Sequence, residues 1–433
     1  MLFPRLVLCV ACGGALSAGV HAQSQAQPPT SAPAAAQASP AAGQASPAAG
    51  QASPAAGLEL ELVESAPLET ELDNPDLRNT TEVWLEMVGR ARRSLDLAHF
   101  YASDQAPSSL TRIIEAIEAA AARGVRVRFL AEEKFYATYP ETLDRLARLP
   151  DAQVRRFDVA KSYGGVLHAK YLVVDGAEVF VGSQNFDWRS LEHIVELGLR
   201  VRAPGAAASF QALFDADWQV AGGADAKTVF AALAELPAPR DSIDGASVRY
   251  RFSPRSALPN EAWWDLPLLV EWIDSAKRSV DVELLTYKSI TRAKEYWDEL
   301  ESALRRAAAR GAQVRLLVAD WGKRKGTIEG LQSLEPLANF EVRMVTVPPH
   351  SSGHVPFARV IHSKYMVVDG ARLWLGTSNW ERDYFEQSRN ASVFVEGGAA
   401  PARTVRYFER LWTASYAYRV DPSASYEAPR VGD

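Results

Sequence analysis

Cysteine is nearly absent: 433 residues carry two, Cys9 and Cys12, both inside an apolar stretch near the N-terminus. Removal of that stretch on export would leave a mature chain with no thiol, which excludes disulfides and cysteine-ligated metal. No His-Glu-x-x-His, paired-carboxylate or cysteine-cluster pattern marks a metal site, so turnover without metal or other cofactor is expected. A basic excess is missing as well. Lys and Arg number 47 against 53 Asp and Glu, a formal net charge of -6, which argues against a protein that coats nucleic acid by charge alone. Long apolar runs are also lacking. The stretch Leu6 to Val20 is short for the ~20 residues of a membrane span, and no amphipathic segment stands out for docking to a bilayer.

The N-terminal stretch follows a lone Arg5 and ends in Val20-His21-Ala22, a small-x-small cleavage pattern. Residues 1–22 therefore read as a secretory signal peptide, giving a periplasmic or secreted protein. Residues 23–57 are low complexity, and Gln37 to Gly57 is three tandem copies of Gln-Ala-Ser-Pro-Ala-Ala-Gly. With nothing large to bury and a proline in each repeat, this segment is expected to be a disordered tether.

From Leu58 the pattern becomes globular. Ser94 to Tyr101 alternates like a strand, Ser109 to Arg123 is an Ala-rich helix closed by Gly124, and Val125 to Leu130 is the next strand. A helix from about Pro140 to Leu149 and a strand from Gln153 to Phe157 follow. The hairpin Tyr171 to Val174 and Glu178 to Val181 turns at Asp175-Gly176, and a strand near Ile194 to Val201 precedes a closing helix from Ala206 to Trp218. The order then repeats: Arg93-Ser94-Leu95-Asp96 returns as Arg278-Ser279-Val280-Asp281, and Arg123-Gly124 returns as Arg310-Gly311. A duplicated domain is expected, over 58–222 and 248–420, joined by a linker at 223–247 and followed by a tail at 421–433. Alternating strands and helices give an α/β fold with helices on both faces of a mixed sheet.

Within each copy stands one phrase. His168-Ala-Lys170 leads to Asp175, and His362-Ser-Lys364 leads to Asp369, both as H-x-K-x4-D. Gly182-Ser183-Gln184-Asn185 follows the first, and Gly376-Thr377-Ser378-Asn379 follows the second. The doubled phrase resembles the signature of the phospholipase D superfamily. That resemblance implies two α/β/α sandwich domains forming a pseudo-twofold dimer in one chain, with a single shared active site.

The chemistry explains the doubling. In-line displacement at phosphorus without a metal needs a nucleophile on one side and a proton donor on the other, and imidazole, with a pKa near ~6.5, serves either role. His168 and His362 are thus the catalytic pair, one forming a phosphohistidine and the other protonating the leaving oxygen and then activating water. Which takes which role stays open. Lys170 and Lys364 supply charge to the nonbridging oxygens; Asn185 and Asn379 add neutral donors, and Ser183 and Thr377 add hydroxyls there or to their own loops. Asp175 and Asp369, at the hairpin turns, are read as organising the loop. In the superfamily a Glu after the polar cluster fixes the histidine tautomer, and Glu196 stands at that spacing in the first half. In the second half Asn390 occupies the matching place, with Glu386 and Gln387 nearer, so the orienting partner of His362 stays open. His99, His193, His350 and His354 are read as structural or surface residues.

Asn74-Pro75, Asn185-Phe186-Asp187-Trp188-Arg189-Ser190-Leu191, Glu196-Leu197-Gly198, Val355 to Val360, Trp380 and Tyr384-Phe385 resemble a narrower branch. It is that of the lysosomal phospholipase-D-like 5' exonucleases and their poxviral relatives. The branch implies single-stranded nucleic acid as substrate, with Trp188, Trp380, Tyr384 and Phe385 either stacking bases or filling the core. Lys323-Arg324-Lys325 either tracks a phosphate backbone or is a solvated loop. The alternative is a phospholipase D that hydrolyses or transphosphatidylates phospholipid headgroups, touching membrane only through its substrate. A noncatalytic binding protein on the same fold would be expected to carry a damaged motif, and both motifs are intact.

Overall fold

The computed structural model describes residues 57–291 and 293–432. The expected signal peptide and almost all of the repeat tether lie outside the described residues. The duplication is visible in the sheets. In the first half the strands run in the order Glu59–Ser65, Ile194–Arg202, Glu178–Gly182, Tyr171–Val174, Ser94–His99, Arg126–Glu132, Ala152–Phe157. In the second they run Ala246–Ser253, Asn390–Glu396, Arg372–Gly376, Tyr365–Val368, Ser279–Leu284, Gln313–Ala319, Phe340–Val345. The two orders match strand for strand, with the three strands at one side of each sheet parallel and the other four named here antiparallel.

Local chemistry sets the element boundaries. The helix Ser109–Ala122 starts at Ser108, whose side chain accepts from Thr111 N while the Thr111 hydroxyl accepts from Ser108 N, a reciprocal cap. It stops at Gly124, whose φ of 87° suits glycine far better than a residue with a Cβ. The helix Glu299–Ala309 ends likewise before Gly311 at φ 96°.

Each sheet carries helices on both faces. Outer layers pack the first sheet against Thr80–Arg90 and Ser109–Ala122, and the second against Leu266–Ser275 and Glu299–Ala309. The inner helices, Pro204–Ala221 and Ala400–Trp412, share a central core with both sheets, where Phe210, Phe214, Tyr407 and Phe408 meet strand residues of either half. The halves therefore have one interior in common.

Three segments carry structure that their composition does not announce. The segment 223–247, read as a linker, holds the helix Ala226–Ala231 and the strand Arg240–Ile243, which pairs with Ala246–Ser253 at the edge of the second sheet. Polar and Gly-rich composition fits a solvated edge hairpin as well as a linker. The tail is tied down, since Val431 is buried and its carbonyl accepts from Phe357 N at 2.7 Å. Finally, Val360–Ile361, just before the second motif, pairs in parallel with Ile194 and Val195 of the first half.

Candidate active site

Each motif histidine stands just ahead of a hairpin strand whose far turn is pinned. Asp175 accepts from the amides of Arg92, Arg93 and Ser94 at 3.0, 2.7 and 2.9 Å. Asp369 accepts from Lys277, Arg278 and Ser279 at 3.0, 2.6 and 3.0 Å. Both aspartates have φ of 55°, and Gly176 and Gly370 follow at 62° and 68°, the left-handed pair of a tight hairpin turn. A strand rise of ~3.3 Å per residue sets these carboxylates about 20 Å along the chain from the histidines. They anchor the hairpins and stand away from the histidine end.

At the near end the two halves exchange contacts. His168 N donates to Arg389 O at 2.9 Å and His362 N donates to Val195 O at 2.8 Å. The side chains follow one residue further on: His168 Nδ1 lies 3.1 Å from Asn390 Oδ1, and His362 Nδ1 lies 2.8 Å from Glu196 Oε2. Glu196 thus orients the histidine of the other motif rather than its own, which corrects the in-half pairing that sequence spacing suggests. It also gives His362 the partner left open above.

The tautomers follow from these partners. Asn390 Nδ2 donates to Tyr384 O at 2.7 Å and Ser388 O at 3.3 Å, which turns Oδ1 toward His168, where it also accepts from Thr377 Oγ1 at 2.8 Å. An acceptor facing each Nδ1 places the proton there and leaves Nε2 for chemistry. Glu196 is held in turn by Ser190 Oγ at 2.6 Å.

Charge converges on the same place. Lys170 and Lys364 are buried, and each ammonium donates to the carbonyl of its own motif histidine. Burial pushes both lysines down, Lys170 well below its usual range with Lys364 adding repulsion, and Lys364 to about 7 with Glu196 and Glu283 acting against the fall. Burial also holds His168 well below the ordinary imidazole value, reinforced by Lys170, Lys364 and His362. His362 is lowered by burial too, but the Glu196 carboxylate opposes the shift. One imidazole has a neutral partner and the other an anionic one.

The remaining candidates divide between support and the site. The Ser183 hydroxyl ties its loop to Leu197, accepting from its amide at 3.1 Å and donating to its carbonyl at 3.3 Å. Thr377 Oγ1 accepts from Ala391 N at 3.1 Å. Asn185 is buried with Oδ1 unpaired, and Asn379 Oδ1 faces Thr286 N at 3.5 Å.

A family model described as "Cardiolipin synthase, PLD-like domain" matches residues 84–218 and again 269–412. The chain belongs to the phospholipase D superfamily. Among its relatives, the rat "5'-3' exonuclease PLD3" is 31% identical over 84% of this chain and 81% of its own length. "Phospholipase D Z" of Dictyostelium discoideum is 28% identical over 83% of this chain and 90% of its own. The crystal structure of phosphatidylserine synthase from Haemophilus influenzae superimposes with a TM-score of 0.57 at 12% identity, covering 78% of this chain and 85% of that one. This last likeness is one of fold.

Beside the superfamily motifs, the aromatic lining differs from the set named from sequence. Trp380 and Phe385 are core residues, and Trp188 packs edge-on against His193. Tyr384 does reach the site, its ring 4.7 Å from that of His168. The rings that sequence reasoning missed are Phe100, 5.1 Å from His168, then Phe135, Tyr101 and Tyr139, each in ring contact with the next, at 4.4, 5.7 and 5.1 Å. All four are partly exposed. Phe100-Tyr101 directly ends the Ser94–His99 strand, a signal that reads equally as a core strand.

The other expectations lie elsewhere. Lys323 stands 4.0 Å from Asp320 and over the Tyr418 ring, and Arg324 lies over Trp321. His99 is fully buried among Trp84, Phe129 and Phe186, and burial lowers it to about 3. His193 packs between Trp188 and His350, His350 pairs with Glu69 at 3.3 Å, and His354 meets Gly432 O.

Proposed function

We propose that the protein hydrolyses phosphodiesters of single-stranded nucleic acid from an end, through a phosphohistidine on His168. The observation that carries this reading is a neutral imidazole held by an amide, flanked by Phe100 and Tyr384 at the head of a run of partly exposed rings. Base stacking on such rings contributes about 1–3 kcal/mol each.

The steps follow from the partners. His168 Nε2 attacks phosphorus, and the bond to the leaving oxygen breaks as His362, stabilised as imidazolium by Glu196, delivers its proton there. Lys170, Lys364, Asn185 and Asn379 receive the nonbridging oxygens. Neutral His362 then takes a proton from water, whose oxygen attacks phosphorus and releases His168, leaving a phosphomonoester. The 5' to 3' direction in the rat relative's name is the polarity to test first.

A second reading, phospholipid cleavage, is favoured by one surface feature. The loop after Ser279–Leu284 runs beside Trp380, with Lys288 N donating to Trp380 O at 3.0 Å, and exposes Ile290 and Tyr296, apolar side chains suited to a lipid surface. Among the described residues no helix is long and apolar enough to cross a membrane.

The deciding experiment gives the protein 5'-hydroxyl single-stranded oligonucleotide and phospholipid vesicles side by side, with EDTA, using His168→Ala and His362→Ala as blanks. Stepwise shortening by wild type, with acid-labile label trapped in His362→Ala from a substrate with a good leaving group and absent from His168→Ala, supports the proposal. Headgroup release with intact oligonucleotide selects the lipid reading, and full activity in either variant overturns the mechanism.

A further inference from the structure

The walls behind the two motifs differ at one position. Opposite Tyr171 in the first hairpin stands Ala98, and at the matching register opposite Tyr365 stands Glu283. Glu283 is fully buried; the Tyr365 and Ser363 hydroxyls act on its carboxylate, but neither oxygen is met at close hydrogen-bond geometry. A buried carboxylate met only by loosely placed hydroxyls is costly enough that a core would ordinarily discard it. Here the duplicated half shows that alanine serves the fold, so fold alone does not account for the acid.

Its surroundings point to a counter-charge. On its own strand Asp281 is occupied by Arg315 at 2.6 Å, and the neighbouring strand places Leu317 opposite Glu283. The motif strand brings Ser363, Lys364 and Tyr365, and the inner helix brings Tyr407, whose ring is 5.9 Å from that of Tyr365. The buried hydroxyls of Tyr365 and Tyr407 face Glu283 and Ser363 without close hydrogen-bond geometry, Glu64 Oε2 from the Glu59–Ser65 strand is buried without a partner, and Glu196 adds its charge from Ile194–Arg202. Lys364 is the cation that acts on Glu283, and Lys170 and His362 share its site.

We propose that Glu283 is a positioning residue that holds Lys364 in its ammonium form, a counter-charge the first half lacks, and so sets the upper pH limit of phosphate binding at the second motif. This rests on the reading of Lys364 as a phosphate ligand. Burial pushes Glu283 up to about 7 and Lys364 down to about 7. Below that pH Glu283 carries a proton, and glutamine imitates it. Above it the carboxylate is ionised and keeps the neighbouring ammonium from losing its proton.

The test is the pH dependence of kcat and KM from pH 4.5 to 9 for wild type, Glu283→Gln and Glu283→Met, with melting temperatures alongside. Expected are profiles that superimpose near pH 5 and part above pH 7. The alkaline limb should move down by about one unit, a roughly tenfold loss of kcat/KM at pH 8 carried by KM. Glu283→Met, which restores an apolar wall, should show the same limb. Superimposed profiles throughout overturn the inference, as does a loss equal at every pH with a lowered melting temperature. An inactive wild type would instead sink the proposed function, so the two failures are distinguishable.

Discussion

Asn390 is 222 positions from His168 in the chain and 3.1 Å from its Nδ1. The amide faces the ring without charging it, which suits the neutral attacking imidazole proposed for His168. Asn390→Asp places an anion there and favours the imidazolium, so the acid limb of kcat/KM should move up by about one to two pH units. Activity at pH 6 should fall at least about tenfold, with recovery toward alkaline pH. A pH–rate profile checks this, and an unmoved acid limb would contradict the assignment of His168.

Glu196→Gln should act in the opposite direction. His362 loses the carboxylate that opposes its desolvation, so its protonated form becomes scarcer and the limb reporting the general acid shifts to lower pH. A loss of about 10²–10⁴ in kcat is expected from removing acid–base function. A substrate with a good leaving group, which needs no proton, should recover most of the first step in a burst experiment.

The backbone contact of His168 depends on a buried ion pair between the halves. Arg389 donates to Asp217 at 2.8 and 2.9 Å, both fully buried, and also to Ser253 O and Ala257 O at 2.7 and 2.8 Å. Removing either partner leaves a charge without compensation. Arg389→Met or Asp217→Asn should destabilise by about 3–5 kcal/mol in denaturant titration. Arg389→Met is the more damaging, because two carbonyls also lose their donor.

Glu64 predicts how stability varies with pH. Burial pushes its carboxyl up to about 8, so the folded state keeps a proton that the unfolded chain releases above ~4.5. The stability it contributes is present in acid and is lost as pH rises toward 8. Glu64→Gln should melt within a degree or so of wild type near pH 4.5 and a few degrees higher at pH 8. Parallel melting curves across that range would contradict the buried-acid reading.

The sequence by itself determined the duplication, the order of elements and the two histidine–lysine pairs. Periodicity, glycine stops and the Asp-Gly turns are local signals, and the motif spacing is carried by a single hairpin whose turn pins it wherever the halves sit. The tertiary structure decided everything that depends on the other half. Glu196 and Asn390 stand at equivalent spacings after their own motifs, and nothing local indicates that each serves the opposite histidine; that follows from Val360–Ile361 adding to the first sheet and from Arg389 O receiving His168 N. The aromatic wall was hidden for the same reason. Phe100 and Trp380 both flank strand or motif segments rich in apolar residues, and only packing shows one ring partly exposed beside His168 and the other sealed in a core. Chain neighbours fix how a segment folds, whereas an active site on an axis between two halves is made from residues whose proximity is set by burial of a shared interior.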